Sequence, residues 1–110
     1  MFAGPKAALR PIYDNLLELA FGLGKGIRVS PGKTIVPVYR NDVIEQIKPA
    51  TRTRIDFGLA LGGSEVPARL KDTGGLATGD RITHVLGISF ASDVDDFAEK
   101  WLRRAYELDA

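Results

Sequence analysis

The sequence predicts an α+β domain, with an antiparallel five-stranded sheet covered on one face by an N-terminal and a C-terminal helix. Two observations predict it. Apolar residues recur at helical spacing only near the two ends of the chain, and the segments between them alternate or are β-branched. Most of those central segments are also joined by connections of hairpin length, with no crossover helix between strands.

The first helix is read over Pro11–Phe21, from Ile12, Leu16, Leu19 and Ala20, with Pro11 suited to a first turn and Gly22 to a stop. Three short strands follow at Ile27–Ser30, Thr34–Arg40 and Val43–Lys48, the last two separated by the turn pair Asn41-Asp42. In "TRTRIDFGLAL", Thr53, Ile55, Phe57, Leu59 and Leu61 alternate with Arg52, Arg54, Asp56, Gly58 and Ala60, which predicts a strand with one core face and one charged face. Gly62–Asp80, with five glycines and a proline, reads as a long mobile loop that has room for a short element around Val66–Leu70. A fifth strand is expected at Arg81–Phe90. The closing helix runs to Leu108 from an N-cap at Ser92, with Trp101 expected to be buried against the sheet. The second face of the sheet is left to water or a partner.

A chain of 110 residues, 45% hydrophobic and 26% charged, is the size of one globular domain. Its lack of cysteine excludes disulfides and thiol chemistry and fits a cytoplasmic setting. Asp14 and Glu18 break any N-terminal signal-like stretch, and no apolar run is long enough for a membrane span. The net charge of +1 gives no global attraction for nucleic acid, but it is unevenly spread. Up to Arg54 nine basic residues face four acidic ones, and beyond it six face ten.

"GIRVSPGKT" ends like a phosphate-binding loop, yet the spacing fails: Ile27 stands where the first glycine belongs, and strand-forming residues follow Thr34 where a helix is required. It reads as a Pro-Gly turn between two strands. His84, the single histidine, cannot supply a transition-metal site alone and reads as a hydrogen-bonded structural residue. Asp93, Asp95, Asp96 and Glu99 are explained by the start of a helix, so no metal or cofactor is expected. A nuclease pair fails too, because Glu45 and Lys48 are three apart and point to opposite strand faces.

"SPGKT", "PATRTRIDFGLAL", the glycine-rich insert, "ITHVLGIS" and the terminal "WLRRAYE" resemble a small bacterial family of unknown function, numbered 5655, over nearly the whole chain. The layout is also similar to frataxin-like and double-wing DNA-binding domains. The resemblance implies a domain identity and no catalytic residues.

The remaining lead is the uncovered sheet face. Arg28, Arg52 and Arg54 are placed on it by alternation, with Lys33 or Arg40 joining, and Arg54 neutralised by Asp56 or Glu45 where ion pairs form. The functional expectation is a non-enzymatic binding or accessory domain for an anionic partner, nucleic acid or an acidic protein surface. Two alternatives stand beside it: a small hydrolase or nuclease-like enzyme with a polar site around His84, Asp56 and the loop 62–80, and a homodimerising module using Ile35 and Tyr39.

Overall fold

Pro11 lies in the first turn of α1 (Arg10–Phe21), where its missing N–H costs nothing, and a 3-10 stretch at Gly4–Leu9 leads into it. The structure, a computed structural model, describes Phe2 and residues 4–110. Ile12, Tyr13, Leu16 and Ala20 form the buried face of α1, and the Gly22 N–H closes the helix by donating to the Glu18 carbonyl at 3.1 Å. After α1 come β1 (Arg28–Val29), β2 (Val36–Tyr39), β3 (Val43–Pro49) and β4 (Ile55–Leu59). They are followed by β5 (Lys71–Asp72), the single turn α2 (Gly75–Thr78), β6 (His84–Ile88) and α3 (Asp96–Leu108).

The sheet has six strands in the order β1-β2-β3-β4-β6-β5, and every pairing is antiparallel. The α+β architecture with a helix at each end is as the sequence predicts. The sixth strand is the difference: β5 contributes two exposed residues at the edge, opposite Val85 and His84. Its existence depends on pairing with β6, a non-local contact that carries no local signal.

One face of the sheet is apolar. Val36, Ile47, Phe57 and Leu86 make one row across it, and Pro49, Ile55 and Ile88 another. α3 closes over them with Ala98, Leu102 and Ala105, spaced four and three apart, all at most 1% exposed. Trp101 lies beside that seam and is half-buried, contrary to expectation, while Leu108 is 47% exposed. The N-cap of α3 is Asp95 instead of Ser92: its carboxylate accepts from the Ala98 N–H at 3.1 Å. Asp93 caps the preceding 3-10 turn, accepting from the N–H groups of Ser89 and Phe90.

The segment 62–80 is built into the fold in two parts. Residues 64–70 pack beside α3, where Arg69 lies 4.4 Å over the Phe97 ring and pairs with Asp95 at 3.7 Å, and Leu70 enters the core. Residues 73–82 cross to the other side of the sheet. There the Ile82 side chain occupies the space a Cβ on Gly58 would need, at 2.8 Å, so part of the second face is covered by the chain itself. Read as a loop with room for a short element around Val66–Leu70, the segment holds two such elements further on, at Lys71–Asp72 and Gly75–Thr78.

The C-terminal end of α3 is fastened to the β2–β3 turn. The backbone N–H groups of Asn41 and Asp42 donate to the Asp109 carboxylate at 2.9 and 2.8 Å, and Arg81 donates to its other oxygen at 3.2 Å. Asp109, with a side chain only 10% exposed, accepts three charge-assisted hydrogen bonds from donors on exposed residues, which its loss would leave to water. Asp109→Ala is expected to cost about 1–3 kcal/mol, read as a lower urea midpoint with an unchanged slope. A midpoint equal to the parent's would mean that water replaces the carboxylate freely.

Candidate anion-binding surface

Between Glu18 and Asp42 the chain carries no acidic residue and four basic ones, Lys25, Arg28, Lys33 and Arg40. This stretch folds as the edge hairpin β1–β2 and the loop leading into it. The "SPGKT" run is the hairpin loop, in which Ser30 N–H donates to Pro37 and Gly32 N–H to Ile35. A Cβ on Gly32 would lie 2.7 Å from the Ile35 carbonyl oxygen, so the glycine serves a close backbone approach and not a phosphate cradle.

Two of the four cations are held in place by aromatic rings. The Arg28 guanidinium lies 5.5 Å over Tyr39 and donates to the Arg40 carbonyl at 3.2 Å. Arg40 stacks on Tyr106 at 3.9 Å and donates to its carbonyl oxygen at 2.8 Å, while the Tyr106 hydroxyl donates to the Lys25 carbonyl. Lys33 is exposed at the loop. None of the four makes an ion pair among the described residues. Planar guanidinium groups stacked on rings keep their outward N–H donors oriented at a small entropic cost.

The other predicted cations are elsewhere. Ala50 and Thr51 N–H both donate to the Arg54 carbonyl, so residues 51–54 form a turn and the strand alternation that aligned Arg52 with Arg54 does not hold. Arg52 lies by Leu9 and Phe90, beyond the end of the sheet. Arg54 lies along the second face, its Cδ 3.1 Å from where a Gly87 Cβ would be, and pairs with Asp56 at 2.9 Å. Arg28, opposite Tyr39, and Arg54, before Ile55, stand at opposite ends of the strands, roughly 20 Å apart along them. The hairpin therefore unites Arg28 and Lys33 and leaves Arg52 and Arg54 out.

His84 is 7% exposed on the apolar face, its Nδ1 2.8 Å from the Thr83 hydroxyl. Asp56 is on the opposite face, bordering a groove of about 270 Å³ with Gln46, Lys48, Thr78 and Asp80. His84 and Asp56 thus belong to opposite sides of the sheet. Among the described residues no group of three or more His, Asp or Glu could hold a metal ion. No helix among them is long and apolar enough to cross a membrane.

Glu45 is the residue whose position the sequence conceals. β3 carries one extra residue opposite the Val38–Tyr39 step, so Ile44 and Glu45 are both fully buried. Glu45 makes no pair with Arg54. Both its carboxylate oxygens lack hydrogen-bond partners, and burial pushes its pKa well above the usual carboxylate range.

The family model described as Domain of unknown function (DUF5655) matches residues 1–109. No curated protein and no solved structure matches the chain.

Proposed function

The chain belongs to the family described as Domain of unknown function (DUF5655), and from that footing we propose that it is a non-enzymatic binding domain that holds an anionic partner through its basic edge hairpin. The observation that carries this reading is the acid-free stretch with Lys25, Arg28, Lys33 and Arg40, folded into the edge hairpin and the residues flanking it, with two guanidinium groups oriented by tyrosines. Uncompensated cations on one edge attract phosphates or carboxylates locally even when the net charge is only +1. A nucleic-acid strand and an acidic protein surface both offer that chemistry. A reducing, cytoplasmic setting is consistent with the cysteine-free composition.

Labelled DNA and RNA and an acidic peptide, titrated at two salt concentrations, test the reading. The parent should bind one of them with an affinity that falls as salt rises, and Arg28→Ala/Lys33→Ala should flatten the slope of log affinity against log salt by about two for nucleic acid. Arg52→Ala, remote from the hairpin, should bind like the parent. Equal binding by the double variant would refute the hairpin. A stable dimer in solution that binds no anion would favour assembly through Ile35 and Tyr39, although Arg28 already covers Tyr39.

A further inference from the structure

α3 carries a second surface of mixed charge, built around the only tryptophan. Lys100, Arg103 and Arg104 flank Trp101 at a groove of about 530 Å³ between α3 and the start of the 64–70 segment. Lys100 Nζ lies 5.6 Å over the indole ring. Arg103 pairs with Glu99 at 3.5 Å, whereas Lys100 and Arg104 make no ion pair among the described residues. Two carboxylates, Glu65 and Glu107, also border the groove, so with Arg103 paired to Glu99 its charges balance, and Lys100 and Arg104 are the cations not held in an ion pair.

The orientation of the ring limits what it can offer. Trp101 is half-buried, but its indole nitrogen is fully shielded and has no hydrogen-bond partner. The exposed part of the side chain is therefore carbon surface, with the polar N–H turned inward. Such a ring recognises a ligand by stacking and not by hydrogen bonding. Exposed aromatic carbon bordered by the unpaired cations Lys100 and Arg104 is a combination that single-stranded nucleic acid uses, with a base against the ring and neighbouring phosphates on the cations. A duplex keeps its bases stacked and offers only the phosphates.

We propose that the Trp101 groove binds one unstacked base of single-stranded nucleic acid, with the adjoining phosphates held by Lys100 and Arg104. The proposal narrows the anionic partner of the preceding section to one class and rests on that reading for the partner's charge. It uses a surface separate from the hairpin, so the two fail separately.

Trp101 is the only tryptophan, so its fluorescence reports directly on the groove. Single-stranded DNA and RNA oligonucleotides should quench it at low salt, while a duplex, inorganic polyphosphate and polyglutamate should not. With a fluorescently labelled oligonucleotide, Trp101→Phe should keep most of the affinity, and Trp101→Leu should lose roughly tenfold or more. Lys100→Ala/Arg104→Ala changes exposed side chains only, so it should melt like the parent and bind several-fold more weakly. Quenching by polyphosphate or polyglutamate equal to that by the oligonucleotide would overturn the base-stacking assignment. So would a Lys100→Ala/Arg104→Ala variant that binds single strands as the parent does. Loss of affinity in that variant alone, with Arg28→Ala/Lys33→Ala binding normally, would support the groove and refute the hairpin.

Discussion

Replacing Glu45 by leucine is expected to make the folded domain more stable at neutral pH, by about 1–4 kcal/mol. The carboxyl group is fully buried at the centre of the apolar face, between Val38 and Leu59 in the cross-strand row, and neither oxygen has a partner. A folded chain must either desolvate the carboxylate or keep it protonated, and both cost free energy above the normal carboxylate pKa. The direction with pH follows from linkage. Burial raises the folded-state pKa above its unfolded value of about 4.3, so below that value both states are protonated and Glu45 imposes no ionisation penalty. As pH rises beyond it the unfolded chain releases the proton first. Stability then falls by about 1.4 kcal/mol per pH unit until the folded-state pKa is reached.

Comparing the variant with the parent removes the contributions of the other carboxylates. The advantage of Glu45→Leu should therefore be small near pH 4 and grow toward pH 7, measured as urea midpoints across that range. Glu45→Gln should abolish the same slope with a smaller gain, because its amide remains buried without partners. A stability difference that stays constant from pH 4 to 7 would mean that the carboxyl group is solvated in the folded state.

The parts of the fold that could be read in the sequence are those whose signal is local. α1 was readable from Pro11, the apolar spacing and Gly22, and the β2–β3 hairpin from Asn41-Asp42. Alternation misled where a turn imitates a strand. In "TRTRIDFGLAL" the period of two runs on through residues 51–54, but their backbone closes on the Arg54 carbonyl, which sends Arg52 and Arg54 to different places. The bulge at Ile44 is likewise invisible to a periodicity argument, because one inserted residue reverses the facing of everything on one side of it. Trp101 shows a subtler limit. It falls within the apolar arc of α3, but the contact seam is Ala98, Leu102 and Ala105, which leaves the larger ring at the edge and half-exposed. As for the candidate surface, the acid-free stretch that makes the hairpin basic was in plain view. Its coherence became evident only when Tyr39 and Tyr106 were found beneath the arginines.

Phe57→Ala is expected to be the most damaging single change, costing about 3–5 kcal/mol. Phe57 is the largest fully buried side chain and stands in the middle of β4, opposite Ile47 on one side and Leu86 on the other. The cost depends on how far the surroundings can close over the space left by the ring. Here they are held on every side: β3 and β6 are fixed by backbone hydrogen bonds, and the seam of α3 is tied at its C-terminal end by Asp109. Most of the cavity should therefore remain open, which places the change at the upper end of large-to-small substitutions. Domains of this size have about 5–15 kcal/mol of stability in total, so the variant should be partly unfolded at modest urea concentrations. Leu76→Ala is the matched control, since Leu76 is 60% exposed and its truncation should change stability by no more than about 0.5 kcal/mol. If the two variants shared one urea midpoint, Phe57 could not occupy the centre of the core, and the inward row Val36, Ile47, Phe57 and Leu86 would have to be redrawn.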